Sequence, residues 1–192
     1  MQKFFKSNQS QVDKEQIKNK IEELLDNYEL IINIAVKMDT KNIKIIYEDW
    51  FKEYPCGIII SELEFEAEYI KKNIQECFVK SILFDFASSE EWSYDFFDIP
   101  ELERCKLMKS KFYKGIFNYP EKRMRFSDYN EFIKDFISFT TNNGMSSEKQ
   151  QYYLNYFKEA VIIEIGGSYA LDYVYYIVSN EKVFVINYGI WD

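Results

Sequence analysis

Carboxylates beside aromatic rings are the first candidates for chemistry in this chain. Glu90 and Glu91 are adjacent, Asp95 and Asp98 follow, and Trp92, Tyr94, Phe96 and Phe97 stand among them. Paired carboxylates with aromatic walls are the residue types of glycoside hydrolysis, where their separation sets the stereochemical outcome. Such pairs usually come from distant parts of a barrel or sandwich, and this chain has only 192 residues. Oxygen-rich clusters also hold hard cations, but no Asp-x-Asp-x-Asp-Gly loop occurs and residues 90–98 contain no Gly. Two readings stay open for 88–99. One is a solvated acidic loop over buried aromatics. The other is a docking loop whose rings anchor a partner while its charges steer a basic one.

Other catalytic groups are scarce. The chain contains no His, which removes the Ser-His-Asp triad, the Cys-His dyad, His-ligated zinc and the His pH switch. Ser168 follows Gly166-Gly167 without a Gly-x-Ser-x-Gly context, leaving only a Ser-Lys pair as a possible nucleophile arrangement. The two glycines read as a hairpin turn, since no helix opens after them to cradle a phosphate. Cys56, Cys77 and Cys105 are spaced by 21 and 28 residues, which matches no zinc or redox motif and fits reduced, structural thiols. The reading is therefore of no catalytic residue, no metal and no cofactor, and of a protein that is not an enzyme.

Charge placement says more than total charge. The formal net charge is −8, and residues 61–105 alone carry 4 basic against 12 acidic side chains, the whole of that excess. Next to them, residues 106–125 hold Lys106, Lys109, Lys111, Lys114, Lys122, Arg123 and Arg125 against Glu121 alone. Such asymmetry creates strong local fields. The basic run is interleaved with Phe112, Tyr113, Phe117 and Tyr119, a mixture that suits single-stranded nucleic acid. No RNA-binding motif accompanies it, so a helix exposing lysines is the plainer reading and nucleic acid is not expected. The acidic stretch is either a solvated face or a docking surface for a basic protein. At the C-terminus, Trp191 either covers a sheet edge or joins Asp172 and Asp192 in a partner surface.

These residues need elements to position them. Gly is 6 and Pro 3 of 192, too few for an all-β chain with a turn every ten residues or so. Residues 1–10 read as disordered. From Ser10, Ile17, Ile21, Leu24, Leu25, Tyr28, Ile31, Ile32 and Ala35 make one long helical stripe to a break at Asp39-Thr40. Ile43, Ile46, Tyr47, Trp50, Phe51 and Tyr54 repeat it until Pro55-Cys56-Gly57. Residues 61–69 alternate strictly, with Glu62, Glu64, Glu66 and Glu68 at every second place. That fits a strand, but Glu and Ala are poor strand formers and Ser61 with Glu64 makes a capping box, so a helix to about Phe86 is preferred. Pro100 opens a helix to about Tyr113. Further helices follow from Ser127, with Tyr129, Phe132, Ile133, Phe136, Ile137 and Thr140 inward, and from Ser146 or Ser147 to about Phe157. The ending is different: runs at 160–165, 169–178 and 182–188 are apolar and β-branched with short turns between them, an antiparallel meander. Both faces of its middle strand are apolar, so helices cover at least one.

The resulting expectation is one α+β domain over 1–192: a helical majority over 11–158 packed on a three-stranded antiparallel β-meander at 160–190. No apolar run reaches the ~20 residues of a membrane span, and the N-terminus lacks a signal-peptide core. A cytoplasmic protein that does not engage membrane is expected.

A small acidic domain with a concentrated acidic region and no catalytic kit resembles the immunity proteins of bacterial polymorphic-toxin and contact-dependent inhibition systems. The segment from Ile163 to Val185 loosely resembles the meander of SUKH (Smi1/Knr4-like) immunity domains. The resemblance implies a cytoplasmic inhibitor that neutralises a basic cognate toxin, often a nuclease, by covering its active site. The alternative is a small-ligand or regulatory module with an aromatic pocket, or a carboxylate-dependent enzyme. The expected partner-binding residues are Glu90, Glu91, Trp92, Tyr94, Asp95, Asp98, Asp172, Trp191 and Asp192.

Overall fold

A computed structural model describes residues 2–37, 45–53, 56–88, 103, 106, 124–166 and 173–190. The fold is α+β. Its sheet has six strands: β1 (Ile45–Glu53), β2 (Cys56–Leu63), β3 (Arg125–Phe126), β4 (Val161–Gly166), β5 (Tyr173–Val178) and β6 (Val183–Ile190), in the order β1-β2-β6-β5-β4-β3. Every neighbouring pair is antiparallel. The expected three-stranded sheet is thus corrected: β4, β5 and β6 pair in turn, but β2 joins β6 and carries β1 with it, and β3 adds two residues at the opposite edge.

The helix expected over 43–54 is a strand wherever that stretch is described, at Ile45–Glu53. Its Ile, Tyr, Trp and Phe content suits a pleated surface as well as a helical stripe, and a short apolar run cannot separate the two by period alone. What decides is the partner. The run Ile58-Ile59-Ile60 pairs with Phe51, Trp50 and Asp49 on one side and with Tyr188, Asn187 and Ile186 on the other. Cys56 and Gly57, read as a stop, already belong to β2.

The helix preferred over 61–69 is corrected too. β2 runs to Leu63, residues 64–66 are irregular, and α3 (Ala67–Lys72) begins later, with no side-chain cap from Glu66. The capping box of Ser61 and Glu64 does not form because both residues precede the helix. Asn73 then ends α3 and starts α4 (Ile74–Ser88). Its N–H donates to the Tyr69 carbonyl at 2.9 Å, and its own carbonyl accepts from the Cys77 N–H at 2.9 Å. The remainder of the predicted stripe holds, with Ile70, Ile74, Cys77 and Ser81 buried.

At the N-terminus, α1 (Gln2–Asp26) spans the residues expected to be disordered. The single long helix is divided at Asn27, beyond which lies α2 (Tyr28–Lys37). The Asn27 N–H donates to the Leu24 carbonyl at 3.2 Å and its carbonyl accepts from Leu30 at 2.9 Å, so the chain turns without leaving its backbone groups unpaired. Of the helix read from Pro100, only residues 103 and 106 are described, both helical and exposed.

Helices cover both faces of the sheet. On one face α1, α2 and α4 bury Ile17, Ile21, Ile31 and Phe78 against Ile163, Tyr176, Val183 and Val185. On the other, α5 (Tyr129–Asn142) and α6 (Ser147–Phe157) bury Phe132, Phe136, Tyr153 and Phe157 against Ile60, Ile177, Phe184 and Ile186. The alternation of β5 and β6 supplies both layers at once. Asp128, not Ser127, caps α5: its carboxylate accepts from the N–H groups of Asn130 and Glu131 at 2.9 and 3.0 Å. Ser146 caps α6. Between them Gly144 takes φ +79°, which a side chain would strain. Ile137, expected inward, is 39% exposed, while Thr140 below it is buried.

One acid is locked inside this frame. Glu62 of β2 is 3% exposed. One carboxylate oxygen takes an ion pair from Lys182, and the other accepts from the Tyr152 hydroxyl of α6 at 3.0 Å. The Lys182 ammonium also lies 5.1 Å from the Tyr156 ring centre, a favourable cation–π distance. Burial pulls the Lys182 pKa down, but the bond and charge of Glu62 outweigh it and leave the value raised above 10.5. The pair's contribution is therefore complete below the ordinary lysine pKa and fades as pH rises through the raised one. Replacing Lys182 by Met leaves the Glu62 carboxylate buried with one partner. The expected loss is about 3 kcal/mol, measured by urea unfolding at neutral pH. The wild-type and variant curves should converge above the raised lysine pKa.

Candidate functional site

The residues expected to bind a partner lie outside those described: Glu90, Glu91, Trp92, Tyr94, Asp95, Asp98, Asp172, Trp191 and Asp192. So does Cys105. Of the thiols, Cys77 is free and fully buried, and burial pushes its pKa up to about 12, which leaves it an inert core residue.

Among the described residues the chemistry gathers elsewhere, in a cleft of about 340 Å³ between α5 and the sheet. The sequence builds it in three steps. Glu131, Asp135 and Ser138 stand one helical turn apart, so they share one line along α5, and all three are exposed. Phe132 and Phe139, beside that line, close the inner wall. The opposite wall is the sheet: Tyr173 and Tyr175 are two apart in β5 and so on one face, and Tyr188 of β6 is the register partner of Tyr173. Glu164 of β4, opposite Tyr175, and Arg125 of β3 complete the rim.

The rings form a continuous wall. Tyr175 packs edge-on to Tyr188 with centroids 5.5 Å apart, Tyr173 stacks on Tyr175 at 6.2 Å, and Phe139 tilts over Tyr188 at 4.9 Å. Glu164 is nearly buried and accepts from the Arg125 guanidinium at 2.6 Å, while the Arg125 side chain itself is 70% exposed. Among the described residues, one cation thus answers one of three carboxylates, and Glu131 and Asp135 leave that part of the lining net negative.

The hydroxyl of Tyr188, which lines the cleft, is buried and has no hydrogen-bond partner among the described residues. Buried hydroxyls are nearly always satisfied, and an orphan costs about 1–3 kcal/mol. Burial, then Tyr175 and Asp135, push the Tyr188 pKa well up. The phenol therefore stays protonated, with both a proton to donate and lone pairs to offer. Tyr175 is likewise pushed up, by burial first and then by Glu164 and Asp135.

Alternation along β5 puts Tyr173 and Tyr175 on one face, and the spacing of Glu131 and Asp135 puts them on one line of α5, but neither pair stands out in the sequence as a site. Nothing local to these segments brings Tyr188, Glu164 and α5 together; the sheet order does. No group of three or more Cys, Asp or Glu among the described residues could hold a metal ion, and none of their helices is long and apolar enough to cross a membrane. Compared with family models, curated proteins and solved structures, the chain finds no match.

Removing the orphan oxygen tests its energetic role. Tyr188→Phe should raise stability by about 1 kcal/mol, read as a Tm increase of roughly 2–4 °C for a chain of this size. A loss of stability would mean that the hydroxyl is satisfied in solution.

Proposed function

We propose that this protein is a binding module, not a catalyst, and that its ligand enters the cleft between α5 and the sheet. The observation that carries the reading is the Tyr188 hydroxyl, buried without a partner beside a ring-lined space. Binding sites combine apolar aromatic walls with a few convergent polar groups, and here Tyr173, Tyr175 and Tyr188 supply the walls while Asp135, Glu131 and Glu164 supply the polar groups. The absence of His from the chain supports binding over acid–base chemistry. Ser138 is exposed and lines the cleft, so Ser138→Trp should fill its mouth while leaving the fold intact. Small molecules that raise the Tm of the wild-type chain in a fragment screen should lose that effect in the variant. Hits that act equally on both proteins would refute the cleft as the site.

A second reading is favoured by one observation, the concentration of the whole −8 excess in residues 61–105. In it, the protein is a cytoplasmic inhibitor of the bacterial immunity class, and Glu90, Glu91, Asp95 and Asp98 steer a basic toxin toward Trp92. Reversing those four acids to Lys should slow association most at low salt, where the Debye length is about 30 Å at 0.01 M. Trp92→Ala should mainly speed dissociation, at a cost of about 2 kcal/mol. Stopped-flow association and dissociation rates with a captured basic partner decide it; an unchanged association rate for the quadruple reversal would refute the steering.

A further inference from the structure

We infer that the cleft between α5 and the sheet selects an organic cation bearing N–H donors, an alkylammonium or alkylguanidinium group, seated against the tyrosine wall between the carboxylates of α5 and the Tyr188 hydroxyl. The inference rests on the cleft being the binding site and deepens that reading by naming the ligand class.

Three independent features converge. The first is charge. Glu131 and Asp135 line one wall and carry no ion pair among the described residues, whereas the Glu164 charge is already answered by Arg125. An anion entering here meets two unanswered carboxylates. A cation meets its complement.

The second is the wall itself. The faces and edges of Tyr173, Tyr175 and Tyr188 form a connected set, with neighbouring centroids 6.2 and 5.5 Å apart. Ring faces attract cations through their quadrupoles, and sets of aromatic rings beside acids are how proteins hold ammonium groups. The third is the orphan. The Tyr188 oxygen has no partner among the described residues, and Asp135 lines the same cleft. A group with N–H donors can bridge the two, giving one hydrogen to the carboxylate and one to the phenol oxygen. A quaternary ammonium would leave that oxygen orphaned. A neutral alcohol would satisfy it but leave the carboxylates uncompensated. Because Phe139 and Tyr175 pack on the Tyr188 ring, reaching the hydroxyl requires a small shift of those rings.

The same chemistry is carried by a free amine or guanidine and by a lysine or arginine side chain of a partner protein. The test separates charge from shape, and then source from chemistry. The full chain, labelled with ¹⁵N, is titrated with n-butylguanidinium and with its uncharged near-isostere n-butylurea. In a parallel arm it is titrated with acetyl-Gly-Arg-Gly-amide and with the same peptide carrying citrulline. The inference expects butylguanidinium to shift amides of Glu131, Asp135, Tyr175 and Tyr188, with the urea weaker by about tenfold or more. Glu131→Gln combined with Asp135→Asn should weaken the guanidinium by about tenfold again. Both residues are exposed, so these variants should keep the wild-type Tm. Tyr188→Phe should weaken butylguanidinium about threefold or more without loss of stability.

A peptide that binds more tightly than butylguanidinium, with the same dependence on the variants, assigns the occupant to a partner protein. Tighter binding of butylguanidinium assigns it to a free small molecule. Either outcome supports the cation class. Equal affinities for guanidinium and urea, or no change in the double acid variant, would overturn the cation class while leaving the cleft as a binding site. No response to any of the four probes would overturn it as well. The cleft reading itself falls only if Ser138→Trp leaves the screening hits unaffected.

Discussion

A buried carboxylate constrains this molecule. Glu62 sits on the inner face of a central strand, 3% exposed, and an unanswered charge there would cost several kcal/mol. Its two oxygens are answered from two directions: Lys182 at the entry to β6 and Tyr152 on α6. Those partners come from the two elements that must meet if β2 is to join the sheet and α6 is to cover it. An apolar residue at position 62 would tolerate sliding of β2 along β6. The carboxylate does not, because a one-residue slip would point it at the other helical layer. The register of the N-terminal hairpin on the C-terminal strands is thus held by an ion pair and a phenol as well as by the ladder.

The two faces of the sheet then diverge in character. The face under α1, α2 and α4 is largely aliphatic. The face under α5 and α6 is aromatic, with Phe132, Phe136, Phe157 and Phe184 meeting edge to face at centroid distances of 5.1–5.5 Å. Following β5 and β6 along that face, Ile177 and Phe184 lie in the closed core, whereas Tyr173 and Tyr188 lie at the cleft. Core becomes cleft as phenylalanine gives way to tyrosine and the facing helix turns from Phe136 to Asp135. The same two strands build both.

Local patterns were readable where one element decides its own structure. The caps at Ser146 and the close of α5 near Gly144, the stripe Ile70-Ile74-Cys77-Ser81, and the succession of β4, β5 and β6 all follow from periodicity and turn chemistry. Reading failed where a distant partner decides. Residues 45–53 carry a helical spacing of apolar side chains, yet β2 offers them a ladder. Glu62 and Glu64 look alike in an alternating run, but only Glu62 has Lys182 and Tyr152 to receive it. The cleft escaped for a similar reason. Alternation along β5 suffices to place Tyr173 and Tyr175 on one face, but their meeting with Tyr188, Glu164 and Asp135 needs the strand order. No described residue of the acidic segment that carried the functional expectation lines the cleft, whose described carboxylates come from α5 and β4.

The placement of β2 beside β6 has a consequence for how the chain reaches this state. Glu62 and Lys182 are separated by 120 positions in sequence, so the strand that β2 needs is made long after β2 itself. Contacts between distant segments form slowly, because loop closure must precede any reward from pairing. Without β6, the edge of β2 that carries three consecutive isoleucines would be unpaired, and Glu62 would lack its lysine. A charge on an unpaired strand works against pairing with another chain. The charge that locks the register in the finished sheet is thus also of the kind that disfavours edge-to-edge pairing wherever such an edge is open.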